Sequence, residues 1–287
     1  MATIGQSPNG LLNSLSMADR ELLRPHLKPV DLRFGEALSM PGDDVKLVHF
    51  PNSGIVSKIV QLREGEAVEV GIVGRDGVVG ACAALQRAPS PTAAIVRYPG
   101  TALVIDAVQF RGAVAQSASL REQLMQFQSI YCSRVERTAA CNASHNVEER
   151  LCSRLLQSRA LSGSDSLPLT QDLMAQMLAV QRNTISLVAH ALQHAGIIRY
   201  SRGVLKINDA AALDRRSCGC HAFDQAEETM ECEAFAEPRP HVAAEGRREK
   251  MISAQAFVDH QSARDRQLPQ GARDEAPWRM VHGSPRR

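Results

Sequence analysis

Residues 167–207, LPLTQDLMAQMLAVQRNTISLVAHALQHAGIIRYSRGVLKI, constrain the fold more than any other part of the chain. Thr170 suits the N-cap of a short helix over 171–178, with Met174, Met177 and Leu178 turned inward and the small Ala175 leaving room for a crossing helix. Ala179 and Val180 make a tight turn, and a second helix runs from about 181 to 194 on the apolar face Ile185, Val188, Ala189 and Leu192. Gly196 is the expected residue just past its C-terminus. Two short apolar runs, 197–200 and 204–207, flank Ser201-Arg202-Gly203 and form a hairpin. Helix, turn, helix and hairpin in this order make a winged helix-turn-helix, which places its second helix in the major groove of DNA.

The second helix carries Gln181, Arg182, Asn183 and Ser186 on its solvent side, gathered at its N-terminal end. That end is the part of a recognition helix that reaches base edges. Arg182 suits guanine O6 and N7, and Asn183 or Gln181 suits adenine N6 and N7; each good pair gives about 1–3 kcal/mol of discrimination. The Thr170 hydroxyl either caps its helix or donates to a phosphate, and Arg199, Arg202 and Lys206 of the hairpin can meet phosphates. The segment has four basic residues against one acidic, Asp172, a modest excess suited to a phosphate backbone. Aromatic residues make up 4% of the chain, too few for base stacking to be the main mode of contact.

Upstream the pattern differs. Residues 1–13 are rich in turn formers and are expected to fray; Leu15, Ala18, Leu22 and Leu23 then fit one or two helical turns, with Ser16 or Asp19 as cap. From 30 to about 110 short runs rich in Val, Ile and Leu predict strands at 30–34, 47–50, 55–62, 67–73, 93–98 and 102–105, each bounded by turn residues. Strands at that pitch suggest a β-roll, barrel or sandwich. Glycines at 71, 74, 77 and 80 lack the Lys-Ser/Thr of a phosphate loop and read as strand ends and turns. The prolines in 85–92 make that segment a loop.

Residues 106–142 turn helical, and no Pro or Gly interrupts 113–143. Leu120, Leu124, Phe127, Tyr131 and Val135 form one apolar stripe along it. Such a stripe wants a partner, either the body of its own domain or the same helix of a second subunit, and the dimer is the favoured reading. Asn146 with Glu149 makes a capping-box-like start to a further helix, whose buried face is Leu151, Leu155 and Leu156.

The order of β-roll, long helix and LTQDLMAQMLAVQRNTISLVAHALQHAGIIRYSRG resembles the Crp/Fnr family of bacterial transcription regulators, over about 15–223. NASHNVEERLCSRLL leading into the head looks like a branch without an assigned effector. The resemblance implies an α+β chain with a cyclic-nucleotide-binding-like β-roll over 15–112, a dimerisation helix over 113–143 and a winged helix-turn-helix over 146–223. It puts Arg182 on the family's guanine-reading arginine, Thr170 and Gln176 on its backbone contacts, and Gln171 within the DNA-contacting surface. The residues that hold cyclic AMP in the family, a Gly-Glu pair and a later arginine, are replaced here by Gly80-Ala81-Cys82 and Ser90-Pro91-Thr92. Burying a phosphate without a cation is costly, so no cyclic nucleotide is expected there. The first cysteine is Cys82, so the N-terminal iron–sulfur centre of the family's oxygen sensors is not supported. Asn183 stands where a glutamate is frequent and Leu187 where an arginine is, so the operator should differ from the best-known one.

After the head, Cys218-Gly219-Cys220-His221 with Cys232 could hold a metal, but the paired spacing of a structural zinc site is absent, and neither metal nor cofactor is expected. Residues 224–287 are polar, proline-containing and nearly neutral, and are expected to be disordered. Seven scattered cysteines are odd in number and fit free thiols in a reducing compartment, with packing roles for Cys82, Cys132, Cys141 and Cys152. No apolar run approaches the ~20 residues of a membrane span, and the N-terminus lacks the basic start and apolar core of a signal peptide, so the expected location is the cytoplasm. No catalytic constellation is recognisable, which argues against an enzyme. His145, His190, His194 and His221 read as helix-surface or capping residues. The expected function is a DNA-binding transcription regulator, a homodimer on a two-fold operator, with double-stranded DNA and RNA polymerase as partners and an unknown effector. The alternative is a ligand- or thiol-redox-sensing module that signals through protein contacts.

Overall fold

In the computed structural model, residues 7–63 and 66–222 are described. The expectation of a disordered 224–287 and the role weighed for Cys232 lie outside them. The chain opens on α1 (Gly10–Ser14) and α2 (Met17–Leu23). Residues 7–13 do not fray. Asn9 is fully buried, caps α1 by accepting from the Leu12 N–H, and donates to the Pro51 and Gly77 carbonyls at 2.7 and 2.9 Å. Ser16 caps α2.

Seven strands follow: β1 (Lys28–Leu32), β2 (Ala37–Ser39), β3 (Leu47–Pro51), β4 (Ile55–Gln61), β5 (Ala67–Val73), β6 (Ala93–Tyr98) and β7 (Gly100–Asp106). They form two antiparallel sheets, β1-β7-β3 and β2-β6-β4-β5. The six expected strands are present, the first beginning two residues early. β2, only three residues long, carried no periodic signal. A short helix, α3 (Ala81–Gln86), begins within the stretch that the sequence assigned to the missing phosphate clamp, after Gly80 at φ 90°.

Leu32 and Ala102 of one sheet meet Val56, Val73, Ala94 and Val96 of the other to form the core of the roll. The outer face of the three-stranded sheet, with Phe50, Leu103 and Ile105, is covered by α1, α2 and α4 (Ala107–Gln116). The outer face of the four-stranded sheet, with Ile55, Ile72 and Tyr98, packs against the C-terminal head.

The helical region expected to run unbroken is divided at Ser117, which is extended (φ −124°) and caps α5 (Ala118–Ser144) by accepting from the Leu120 N–H. Asp19 accepts from the Ser117 and Ser119 hydroxyls, which holds the break against α2. At 27 residues, α5 is about 40 Å long. The joint at His145 leads into α6 (Val147–Ser162), where Asn146 and Glu149 complete the expected capping box. The head continues with β8 (Ser166–Leu167), α7 (Gln171–Leu178), α8 (Arg182–His194), the hairpin β9 (Ile198–Ser201) and β10 (Val204–Ile207), and α9 (Ala210–Arg215). Strand β10 pairs with both β8 and β9. At the hairpin turn Arg202 and Gly203 both have positive φ, 50° and 78°, as a two-residue type I′ turn requires. Among the described residues no helix is long and apolar enough to cross a membrane.

Candidate nucleic-acid interface and sensor cavity

The head is built so that one end of α8 is presented to solvent. Ile185, Ala189 and Leu192 lock α8 onto Met174 and Leu178 of α7 and onto Leu151 and Leu155 of α6. With that face buried, Gln181, Arg182 and Asn183 are exposed at the start of the helix, and Ser186 is half-buried one turn on. Gln181 is the N-cap rather than the first helical residue, and its side chain makes no capping bond. Arg182 lies 3.5 Å from Asp172 of α7, and both side chains are mostly exposed, so this pair restrains the guanidinium weakly. Leu187 is 74% exposed, an apolar side chain on the outward face of α8.

Around this end stand the expected phosphate contacts. Thr170 is exposed and caps α7, its hydroxyl accepting from the Leu173 N–H at 3.1 Å. A side chain added at Gly203 would meet the Thr170 methyl at 3.6 Å, so the hairpin tip and the start of α7 are neighbours. Arg199, Arg202 and Lys206 are exposed on that hairpin, and Gln171 is half-buried. Gln176 is different. Its carbonyl accepts from the Arg97 guanidinium of β6, so this side chain faces the β-roll. Nothing in the sequence linked residues 97 and 176.

The stripe assigned to dimerisation is also turned inward. Leu120 and Leu124 are buried among the helices over the three-stranded sheet, and Phe127 and Tyr131 pack on the roll. Phe127 and Tyr131 stack with ring centroids 6.3 Å apart. Gly71 and Gly77 make the room for them: a Cβ at Gly71 would lie 2.6 Å from the Tyr131 oxygen, and one at Gly77 would overlap the Phe127 ring. These two glycines are therefore sites of close helix approach and not only strand ends.

Between α5 and the roll lies a cavity of about 410 Å³. Its walls are mainly apolar, with Val70, Val73, Val79, Phe127, Tyr131 and Val135, and its polar lining includes Lys58, Cys82, Thr92, Gln128, Cys132 and Glu136. Burial lowers the Lys58 ammonium below its ordinary value and raises the Cys82 thiol above its own. The Thr92 and Tyr131 hydroxyls have no hydrogen-bond partner among the described residues. The Cys82 thiol donates to the Gln128 carbonyl at 2.9 Å. Lys58 was missed from sequence because it sits inside an apolar strand, where a lysine reads as solvent-facing.

Comparison with known proteins places this architecture. Residues 29–117 match the cyclic nucleotide-binding domain, and residues 149–216 match the Crp-like helix-turn-helix domain. No curated protein matches the chain. A solved structure from Eubacterium rectale, described as a putative transcriptional regulator of the Crp/Fnr family, is 18% identical, with a TM-score of 0.60 over 74% of this chain and 99% of its own. The c-di-GMP-responsive global regulator CLP of Xanthomonas campestris is 16% identical, with a TM-score of 0.56 over 67% of this chain and 99% of its own. FixK2 of Bradyrhizobium japonicum gives the same identity, TM-score and share of this chain, and 98% of its own length is covered. At these identities the solved structures establish the fold; two of the three are described as regulators. A cyclic nucleotide-binding-type domain, a long helix and a Crp-like helix-turn-helix domain in this order make the protein Crp/Fnr-like.

Proposed function

We propose that the protein is a sequence-specific DNA-binding transcription regulator that acts as a homodimer on a two-fold operator, in the cytoplasm and with RNA polymerase as a further partner. The observation that carries this reading is the exposed N-terminal end of α8, with Gln181, Arg182 and Asn183 free of the core and Thr170 and the hairpin beside them. In this proposal Arg182 reads guanine, Asn183 and Gln181 read adenine, Ser186 lies at the edge of the reading surface, and Thr170, Gln171, Arg199 and Arg202 hold phosphates. Gln176 joins them once it leaves Arg97. The sensor body is taken as 15–112, the connecting helix as 113–143 and the head as 146–223.

The sensor is proposed to be degenerate for cyclic nucleotides. Its cavity lacks the family's glutamate and arginine at the matching positions, and its mostly apolar lining carries a cation of its own, Lys58. That composition suits a largely apolar effector with an anionic group for Lys58 to meet.

Dimerisation is proposed through the outward face of α5. Met125, Ser129, Cys132, Glu136, Ala139 and Ala143 are all exposed and recur at spacings of four and three, the seam pattern of a two-stranded coiled coil, and Cys132 and Glu136 of this row also border the cavity.

The decisive experiment selects bound sequences from random DNA and repeats the selection with Arg182→Ala. The variant should lose discrimination at one base position per half-site, at a cost of about 1–3 kcal/mol per half-site, and keep its oligomeric state. Unchanged sequence preference would remove Arg182 from the reading role. Binding without salt dependence would favour signalling through protein contacts instead.

A further inference from the structure

We infer that Cys141, His145, Cys218 and Cys220 form a metal site that binds one zinc(II) ion. Cys141 lies in the last turn of α5, and His145 is its extended C-cap, whose N–H donates to the Cys141 carbonyl, so the two residues lie close together. Cys218 and Cys220 follow α9, where the chain folds back so that the Cys218 N–H donates to the Glu149 carbonyl of α6 at 3.3 Å. The four donor atoms, three Sγ and one ring nitrogen, all lie within 4.8 Å of one another. The Cys141 and Cys218 sulfurs are 3.6 Å apart, and the Cys220 sulfur is 3.7 Å from His145 Nδ1.

Those two separations match edges of a coordination tetrahedron, and the remaining donor atoms lie no further than 4.8 Å apart. Zn–S bonds of about 2.3 Å at tetrahedral angles set sulfurs roughly 3.7 Å apart. A disulfide needs about 2.05 Å, and Cys141, Cys218 and Cys220 are free thiols. A cluster of several irons would need its thiolates further apart than one ion does. Three soft sulfurs and an imidazole, with no carboxylate among them, match the donor set of a closed structural zinc site and suit neither calcium nor magnesium.

The remaining groups fit the same assignment. His221, adjacent in sequence to Cys220, is turned elsewhere: Nδ1 is 3.2 Å from the Ser153 hydroxyl and Nε2 is 3.3 Å from Asp214. Three thiolates and a zinc(II) ion leave one negative charge. Arg137 lines the same cleft as Cys141 and Cys220 and offsets it. On binding, the three thiols lose their protons to solvent and no redox step is involved. The ion fastens the last turn of α5 to the segment after α9, across the joint at His145 that separates α5 from the head. It closes a loop of more than seventy residues, so it stabilises the folded arrangement of the whole head.

The test uses the full chain purified under reducing conditions. Elemental analysis should find one zinc per protomer. Replacement with cobalt(II) should give the intense ligand-field bands of a tetrahedral site and near-ultraviolet thiolate-to-cobalt bands. Cys141→Ser and Cys218→Ser should each weaken metal affinity at least tenfold, while Cys82→Ser, Cys132→Ser and His221→Gln keep it. Cys220→His should retain one ion and lose intensity in the thiolate bands, which separates loss of a ligand from loss of the fold. A chelator should lower the melting temperature of the wild-type protein and leave that of Cys141→Ser unchanged. Reduced wild-type protein that takes up neither zinc nor cobalt would overturn the assignment. So would wild-type metal affinity in Cys141→Ser, or a Cys141–Cys218 disulfide found by mass spectrometry in place of the ion.

Discussion

His49 sits on β3 with 7% of its surface exposed, its backbone bridged to Val79 in both directions. Burial pushes its imidazole below the ordinary 6.5, against the pull of the Glu36 carboxylate and the Leu47 backbone. The folded chain thus keeps His49 neutral at pH values where the unfolded chain has begun to protonate it. Stability should be full above pH 6.5, fall as pH drops below it, and level off below the folded value. Urea unfolding at about pH 7.5 and about pH 5.5 should show the decline, and His49→Gln should flatten that part of the curve; an unaltered slope in the variant would assign it elsewhere. At this scale the caps were legible. Ser16, Asn146 and Thr170 all cap as their neighbours suggested, because capping depends on residues three apart. The metal ligands were not. Cys141 lies in the last turn of α5 and His145 is its C-cap, but Cys218 is 77 positions from Cys141, and no local rule brings them together. The local set Cys218, Cys220 and His221 leaves out Cys141 and His145, which the fold brings beside the two later cysteines.

At the scale of elements, α5 explains why one stripe was seen and the other was not. It carries two apolar or small faces at nearly the same spacing. The bulkier one, Leu120, Leu124, Phe127 and Tyr131, is the one a periodicity argument finds, and it covers the roll. The other, with Met125, Ser129, Cys132, Ala139 and Ala143, is small and exposed. Composition cannot rank two such faces; the glycines at 71 and 77 decide, because they open the roll to large side chains. The break at Ser117 has a related reason: nothing local separates a serine within a helix from one that caps a new helix, and Asp19, which accepts from the Ser117 hydroxyl, lies 98 residues away. In the proposed homodimer Met125, 68% exposed, lies on the seam. Met125→Lys would place like charges opposite one another in the two helices. Sedimentation should then show a shift from dimer to monomer with the fold preserved, and a variant that stays wholly dimeric would move the contact off this face.

At the scale of the molecule, the head and the sensor share a surface. Ile55, Ile72 and Tyr98 of the four-stranded sheet are in one core cluster with Leu169, Met174 and Met177 of the head. Glu69, 3% exposed on β5, pairs with Arg154 of α6 at 2.5 Å, and Asp76 pairs with Arg134 of α5. Arg97 completes these ties by donating to Gln176. None of these pairs was visible in the sequence, since each joins residues more than fifty positions apart. The Glu69–Arg154 and Arg97–Gln176 pairs tie the β-roll to the head without passing through α5. In the proposed DNA complex Gln176 meets a phosphate, so that contact and the Arg97 tie compete, and weakening the tie alone should favour DNA. Arg97→Ala removes one charge-assisted hydrogen bond, a group worth about 1.5–3 kcal/mol at most, and the half-exposed setting keeps the expected gain to roughly tenfold in operator affinity or less. Gln176→Ala removes the same tie together with the phosphate contact, so its affinity should stay level or fall. Fluorescence anisotropy with a selected operator distinguishes the two. An Arg97→Ala protein that binds no tighter than wild type, or that matches Gln176→Ala, would show that the tie does not restrain the head.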